Sequence, residues 1–345
     1  LSHVELLDDV DCLACCERTQ RKPFKHTPKA RNLAYEYSFD PEQGFKGATK
    51  QFYLLGIETE DGKNAKASWL KEESDLENGL IVIQSKEEPP EALSLVPDEY
   101  VNPNPIPAAI DQQVRAYDKN ALLSGKSAII DFLTRSKPRF DDDFAFSSET
   151  KAIAPSHDPA ERLQQIIKAA CHLDNSYLTI QGPPGAGKSY TGKHLIAELE
   201  KSGARIGIAS NSHKAINNLL LSTARYCQEQ EINGSFACTR ETDPELEEFG
   251  VSILKNSELA NHLAPGCVIG TTAWGFARDD LEKGLDYLFI DEAGQVAIAN
   301  LIAMSRATRN IILMGDQMQL GQPSQGTHPA ESGLSILDYL LHETP

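Results

Sequence analysis

Eight residues near the middle of the chain have the types and the spacing that bind phosphate. Residues 182–189 read Gly-Pro-Pro-Gly-Ala-Gly-Lys-Ser, which fits the phosphate-binding P-loop pattern G-x-x-x-x-G-K-[ST]. Glycines let the backbone wrap closely around phosphate oxygens, and a helix beginning at the loop adds unpaired N–H groups and its positive dipole end. We expect Lys188 to contact the β- and γ-phosphates of a nucleotide and Ser189 to bind Mg²⁺. The predicted nucleotide contacts are Gly182, Pro183, Pro184, Gly185, Ala186, Gly187, Lys188, Ser189 and Tyr190.

Two carboxylates follow a later apolar run. Asp291 and Glu292 come directly after Leu288-Phe-Ile290. A P-loop needs one acid that holds Mg²⁺ and a second that orients and deprotonates the attacking water, so Asp291 suits the first role and Glu292 the second. An isolated Asp-Glu pair after a strand is usually an exposed turn, but its place after a P-loop in one sheet pattern favours the catalytic role.

A third apolar run, residues 311–314, ends in the polar residues 315–320. Here we expect Gln319 to donate a hydrogen bond to a γ-phosphate oxygen, and Asp316 to carry the signal onward.

Two other strand ends have residues that suit a nucleic-acid backbone. Asn211, Ser212, His213 and Lys214 lie where a strand is predicted to end and a helix to begin, and N–H groups, hydroxyls and a lysine there can bind a phosphate. Thr271 and Thr272 occupy the corresponding place after another strand, and Trp274 follows them. Trp274 fits a base-stacking role, worth about 1–3 kcal/mol, and equally fits a core position. Ser212 also fits simple helix capping.

These residues need a framework of alternating strands and helices. Strands are predicted over 177–180, 205–209, 267–270, 285–290 and 310–314, and helices over 159–172, 188–201 and 212–226. Such alternation predicts an α/β domain with a parallel sheet, whose ligands lie at the carboxyl ends of the strands. Residues 228–265 are predicted to be an irregular, acidic, solvated insertion.

The first part of the chain has a different pattern. Residues 3–18 are predicted to be helical, and short segments at 35–39, 51–57 and 80–83 predict a small antiparallel barrel. A basic stretch lies between them and fits either a phosphate-contacting arm or a solvated linker: Arg18, Arg21, Lys22, Lys25, Lys29 and Arg31. Helices are predicted over 108–123 and 127–135. The predicted plan is a linker at 1–29, a barrel at 30–100, stalk helices at 101–150 and the α/β domain at 151–345.

Composition narrows the class of protein. A net charge of −17 over 345 residues argues against a wholly basic nucleic-acid coat but allows a local groove. No apolar stretch has membrane-spanning length and no secretory signal is found, so we expect a cytoplasmic protein without a membrane partner.

Seven cysteines, an odd number, indicate reduced thiols. Cys12, Cys15 and Cys16 could provide two or three ligands to zinc or an iron–sulfur cluster, but buried thiols at a helix end are favoured because a closed site needs four ligands.

The motifs together resemble those of superfamily 1 helicases. Residues 181–189, 291–295 and 315–320 resemble motifs I, II and III, and residues 209–216 and 269–274 resemble two nucleic-acid-contacting motifs. Within this superfamily, the motifs most resemble those of the branch that contains the nonsense-mediated-decay helicase. Residues 210–219 and 322–329 resemble still more closely the sequences of fusions of a RecB-like nuclease with such a helicase.

The resemblance implies more than the residues alone. It implies ATP and Mg²⁺ as cofactors, 5′→3′ movement on single-stranded DNA or RNA, with DNA favoured, and a β-barrel on helical stalks before the first RecA-like domain. It also implies that Gln165 cradles adenine, although its surroundings differ from the family pattern. A second RecA-like domain with its arginines is expected after this chain, and a nuclease, if there is one, before Leu1.

The predicted function is therefore the front half of an ATP-dependent helicase or translocase. A P-loop ATPase that acts as a nucleotide-switched clamp or assembly factor is the alternative, and a nucleotide kinase is a third, weaker hypothesis. Stimulation of ATPase activity by single strands would separate the first two. We expect residues 1–345 alone to bind Mg²⁺-nucleotide weakly and to hydrolyse it very slowly, because the arginines of a second domain are absent.

Overall fold

The fold is described from a computed structural model that covers residues 6–7, 11–43, 45, 49–59, 62–98, 104–118, 125–144, 156–318 and 330–341. Contacts divide the chain into two units, residues 1–102 and residues 103–345. Each unit is described by itself.

The first unit is a closed six-stranded antiparallel barrel with the strand order β1-β2-β5-β4-β3-β6. Its strands are β1 Leu13–Arg18, β2 Leu33–Ser38, β3 Gln51–Glu58, β4 Asn64–Trp69, β5 Leu80–Ser85 and β6 Ala92–Pro97. Alternate residues such as Phe52 and Leu54 point into the barrel and are buried. Closure leaves no strand edge unpaired, and the predicted barrel is confirmed.

One prediction in this unit is wrong. Residues 13–18 form β1 and not part of a helix, since β1 pairs with both β2 and β6. A short apolar run such as Leu13-Ala-Cys-Cys16 has no periodicity that separates a strand from a helix, so its partners in the barrel decide.

The three clustered cysteines lie at the start of this strand. Cys12 and Cys16 are buried and Cys15 is exposed with a φ of 54°, where the register of the β1–β6 pair shifts. Burial raises the pKa of the Cys16 thiol to about 12. Within the described ranges, no group of three His, Cys, Asp or Glu side chains could hold a metal ion. The favoured interpretation of buried thiols therefore fits Cys12 and Cys16, although their element is a strand.

Two arginines of the basic stretch form ion pairs with glutamates of the barrel unit. Arg18 pairs with Glu88 at 2.7 Å and lies over the ring of Tyr35, and Arg21 pairs with Glu36 at 2.8 Å. The positive charge of both side chains is thereby offset locally.

The second unit contains a seven-stranded sheet with the order β10-β9-β11-β8-β12-β13-β7. All its strand pairs are parallel. Its strands are β7 Tyr177–Gln181, β8 Ile206–Ala209, β9 Ser235–Cys238, β10 Ser252–Ile253, β11 Cys267–Gly270, β12 Leu285–Ile290 and β13 Thr308–Gly315. The predicted α/β fold is confirmed. The prediction of an irregular insertion at 228–265 is wrong, because this stretch adds β9 and β10 to the sheet.

Helices cover both faces of this sheet. They are α1 Ile106–Asp118, α2 Ala128–Leu133, α3 Pro159–Cys171, α4 Lys188–Lys201, α5 His213–Glu229, α6 Glu245–Glu248, α7 Ala273–Phe276, α8 Ile298–Met304 and α9 Ile336–Leu341. Short 3-10 turns occur at Lys71–Glu73, Asn256–His262, Asp279–Leu281, Ala293–Gln295, Ser305–Ala307 and Ala330–Gly333.

Successive side chains of a central strand point to opposite faces of the sheet, so a hydrophobic core forms on each face. Ile311 and Leu313 of β13 belong to the cluster that also contains residues of α1, α2, α8 and α9. Ile312 and Met314 belong to the opposite cluster, with residues of α4 and α5. Contacts thus group α1 and α2 with the parallel sheet, whereas the sequence had suggested separate stalk helices.

In the part of the chain that the structure describes, no helix combines the length and the apolar character needed to cross a membrane.

Candidate functional site

The phosphate-binding loop connects β7 to α4 as predicted. Gly185 and Gly187 have φ values of 80° and 82°, a backbone region that side chains other than glycine rarely adopt. Gly187 is the N-cap of α4, and no side chain caps the helix. The N-terminal N–H groups of a long helix are therefore left for a ligand at the loop.

Lys188 lies folded back over this loop. Its Nζ donates hydrogen bonds to the carbonyl oxygen of Gly182 at 2.5 Å and to that of Pro183 at 3.0 Å. These two carbonyls hold the ammonium group at the mouth of the loop, where a phosphate would accept its hydrogen bonds instead.

Asp291 and Glu292 follow β12 at the same edge of the sheet. Asp291 is only 9% exposed, and burial raises the pKa of its carboxyl group to about 6, with the charge of Glu292 adding to the rise and that of Lys188 opposing it. The Asp291 Oδ1 accepts a hydrogen bond from the Glu292 N–H at 2.9 Å. Glu292 has a φ of 52° and a ψ of 42°, an unusual left-handed conformation for a residue with a side chain.

Strand order explains how the loop and the acids meet. β13 lies between β12 and β7, and its last residue is hydrogen bonded to the loop, from the Gly182 N–H to the Gly315 carbonyl at 3.2 Å. The turn after Glu292 packs tightly against the end of β13, since a Cβ on Gly294 would lie 2.4 Å from the Asp316 carbonyl oxygen. The ends of the three strands therefore form one closely packed edge.

Asp316 continues this edge with its carboxyl group mostly buried, and its Oδ1 accepts a hydrogen bond from the Met318 N–H at 2.9 Å. Gln319 lies outside the described residues, and its role as a γ-phosphate donor stays a prediction.

The residues present fit a bound Mg²⁺-nucleotide. Among the described residues, no atom lies within 4 Å of a Cβ built on Gly185, so the loop leaves room there for a ligand. Ser210 follows β8 beside the acid strand, and its buried hydroxyl has no hydrogen-bond partner among the residues that the structure describes. A lysine, an uncapped helix N-terminus and a buried carboxylate are the donor set that a triphosphate and its metal ion require. Ser189 begins α4 directly after Lys188, and its role as a metal ligand stays a prediction.

Gln165 and Tyr190 come together beside the loop, although 25 positions separate them in sequence. Both line an open depression of about 710 Å³, together with Pro159, Ala160, Glu161, Leu163 and Gln164. The Gln165 Oε1 accepts a hydrogen bond from the Ser156 N–H at 2.8 Å, and the ring of Tyr190 is 56% exposed. The lining is largely apolar and suits a flat base. The apolar contribution of Pro159 and Leu163 was not predicted, because only the position of α3 against α4 creates it.

The predicted nucleic-acid contacts after β8 lie at the same carboxyl edge. Asn211 and Lys214 are exposed, and Ser212 is the N-cap of α5 but makes no capping bond with its side chain. The Asn211 Nδ2 donates to the Gln295 carbonyl at 2.6 Å, which connects this strand end to the turn after Glu292. Burial lowers the pKa of His213, and the charge of Arg240 lowers it further.

The predicted nucleic-acid contacts after β11 differ in how far their side chains are buried. Thr271 is fully buried, and its hydroxyl contacts Asn256 Oδ1 and Thr239 Oγ1, each at 3.0 Å. Its side chain therefore braces the strand ends, and its role as a nucleic-acid contact stays a prediction. Thr272 is half-buried, and Trp274 packs in part against the core while staying partly exposed. Both interpretations of Trp274 thus stay compatible with its position.

Comparison with known proteins adds family relationships to this geometry. The model of a family described as "AAA domain" matches residues 159–331. The DNA replication ATP-dependent helicase/nuclease JHS1 of Arabidopsis thaliana is 28% identical over 177 residues, which cover 51% of this chain and 13% of that protein. The corresponding proteins dna2 of Schizosaccharomyces pombe and DNA2 of Saccharomyces cerevisiae are each 25% identical, over 171 and 170 residues. Those matches cover 48% and 46% of this chain and 12% and 10% of the relatives. The chain thus spans only a small part of the curated relatives that it matches.

Among solved structures, the arterivirus nonstructural protein 10, a helicase, is similar at 11% identity with a TM-score of 0.34. The match covers 98% of this chain and 53% of that protein. Its complex with DNA matches over 47% of this chain and 33% of that chain, at 14% identity with a TM-score of 0.30.

Proposed function

Because this chain belongs to the AAA domain family, we propose that its second unit binds and hydrolyses ATP and that hydrolysis drives movement along single-stranded nucleic acid. One observation carries the proposal. The phosphate-binding loop after β7 and the acid pair after β12 lie at one edge of the parallel sheet, on either side of β13, and the Gly182 N–H of the loop donates to the Gly315 carbonyl at 3.2 Å.

Each residue of the site has a defined task in this proposal. The loop and Lys188 bind the phosphates, while Ser189 and Asp291 hold the metal ion. Bound Mg²⁺ supplies positive charge to the phosphate oxygens. Glu292 orients the attacking water and accepts its proton. Gln165 and Tyr190 contact the adenine ring. Gln319 donates to the γ-phosphate.

The proposed polymer is single-stranded DNA moved in the 5′→3′ sense. The names of the curated relatives, DNA replication ATP-dependent helicase/nucleases, favour DNA over RNA. The backbone would lie along Asn211, Ser212, His213 and Lys214 and then pass Thr272 and Trp274. A second RecA-like domain would complete the cleft, and a RecB-like nuclease in the same protein and a cytoplasmic location are also proposals.

Steady-state ATPase activity of the full-length protein, with and without a single-stranded oligonucleotide, tests this function. We expect turnover to rise when the strand is added and to vanish in Lys188→Ala. ATP binding without strand-stimulated turnover would favour a nucleotide-switched clamp, and absence of ATP binding would overturn the proposal. Parallel assays with DNA and RNA strands of one sequence would test the choice of polymer.

A further inference from the structure

The loop after β9 lies at the same edge of the sheet as the proposed nucleic-acid contacts. β9 and β11 pair in parallel with Cys238 opposite Gly270, and the Thr239 N–H donates to the Gly270 carbonyl at 3.2 Å. Arg240 is the second residue after β9. It therefore lies next to the start of the Thr271–Trp274 segment.

A buried side chain holds this loop in place. Asn217 of α5 is only 1% exposed, and its Nδ2 donates to the Arg240 carbonyl at 2.7 Å and to Thr242 Oγ1 at 2.8 Å. Leaving a buried amide nitrogen without acceptors is costly, so the two hydrogen bonds of this Nδ2 define the loop conformation. The helix that carries Asn217 begins at His213. One rigid element thus positions both Arg240 and the predicted contacts His213 and Lys214.

The charge of Arg240 is not offset by an ion pair with any described carboxylate. Its side chain is exposed, and across the described ranges no carboxylate oxygen lies within ion-pair distance of it. Its charge also lowers the pKa of His213, after the larger effect of burial.

The acidic residues that follow Arg240 are partly engaged elsewhere. Glu245 pairs with Arg225, and the Asp243 Oδ1 accepts a hydrogen bond from the Glu245 N–H at 3.0 Å. Glu241 stays exposed directly beside Arg240.

We propose that Arg240 binds the phosphate backbone of the single strand and extends the row of contacts from Lys214 beyond Thr272. This inference rests on the proposed function and adds a contact to it. A guanidinium group can bind one phosphate through two parallel N–H···O bonds. Such a contact fixes the path of the strand and does not select a base.

Binding of a fluorescent oligo-deoxythymidine to the full-length protein, measured by anisotropy at several salt concentrations, tests the proposal. Each phosphate contact on a single strand contributes about 0.7 to the slope of log affinity against log salt. We expect Arg240→Ala to make this negative slope shallower by about 0.7 and to weaken binding about fivefold near 0.1 M salt. Arg240→Lys should keep the slope because it keeps the charge.

Two further variants test whether the effect on binding depends on the position of the arginine and on the charge beside it. Arg309→Ala is the matched control, because Arg309 is exposed in the first residues of β13 and so lies at the opposite, amino edge of the sheet. It should leave the slope unchanged. Glu241→Gln removes the adjacent negative charge and should tighten binding.

The outcomes are distinct. If Arg240→Ala behaves like Arg309→Ala while the parent protein binds the strand, the role of Arg240 is wrong and the proposed function stands. If Arg240→Lys loses as much of the slope as Arg240→Ala, charge is not what binds and the inference is overturned. If the parent protein does not bind the strand at any salt concentration, the proposed function itself fails.

Discussion

Leu337 fills the space beside Gly315, so that a Cβ on Gly315 would lie 2.7 Å from the Leu337 Cδ1. The same Cβ would lie 3.0 Å from the Ala293 backbone nitrogen, in the turn directly after Glu292. Helix α9 is therefore packed onto the ends of β12 and β13. Asp291 and Glu292 follow β12 there, and Asp316 follows β13. Arg135 supports α9 from the other side, through a hydrogen bond of 2.8 Å to the Tyr339 carbonyl.

Gly315→Ala should disturb this contact. Overpacking of a tight core costs about 1–3 kcal/mol of unfolding free energy, and the displaced backbone should also slow ATP turnover. Denaturant unfolding and steady-state ATPase assays measure the two effects. Gly125→Ala is the control, because a Cβ there meets no described atom within 4 Å. Equal stability of the two variants would contradict the tight packing.

Lys188→Ala should weaken ATP binding without unfolding the domain. Hydrogen bonds to a charged group are worth about 1.5–3 kcal/mol, which corresponds to roughly 10- to 150-fold in affinity. Titration with a fluorescent ATP analogue and thermal melting measure these properties. Lys201→Ala, at the other end of the same helix, should change neither. Unchanged affinity in Lys188→Ala would mean that the loop is not the nucleotide site.

Two substitutions at Glu292 separate catalysis from backbone strain. Glu292→Gln should bind ATP and fail to hydrolyse it, because the amide cannot accept the proton of the water. Glu292→Gly should also lose hydrolysis but gain up to about 1 kcal/mol of stability, because glycine relieves the left-handed conformation. ATP trapping and denaturant unfolding of both variants test this pair. A hydrolysing Glu292→Gln would exclude Glu292 as the base.

The stability of the protein should depend on pH through Glu200. This side chain is 3% exposed, and burial raises the pKa of its carboxyl group although the Cys227 thiol donates to it at 3.0 Å. An acid whose pKa is raised by folding stabilises the protein below its unfolded pKa, and this stability is lost as pH rises through the folded pKa. Glu200→Gln should therefore gain stability relative to the parent as pH rises.

Unfolding free energies at about pH 5 and about pH 8 measure this gain. Glu198→Gln is the matched control on the same helix, because the side chain of Glu198 is partly exposed and pairs with Lys201. A gain for Glu200→Gln that is the same at both pH values would show that the buried carboxyl group does not titrate in this range.

Local chemistry made much of the site predictable. The P-loop is a strand, a glycine turn and a helix that follow one another directly, so Lys188 could be assigned from residue types and spacing alone. Asp291 and Glu292 were predicted for the same reason, as polar residues at the end of a buried strand. The chain order of strands and helices also predicted the parallel sheet, because crossover connections allow few other arrangements.

Only the tertiary structure decided the rest. Residues 13–18 became β1 because the barrel offered two partner strands, and β9 and β10 joined the sheet although their four and two residues carry little periodic signal. Thr271 is buried by contacts with Thr239 and Asn256, and Arg240 comes next to the Thr271–Trp274 segment through the pairing of β9 with β11. Short apolar segments satisfy strand and helix patterns equally well, so their conformation and neighbours depend on hydrogen bonds to residues far away in the chain.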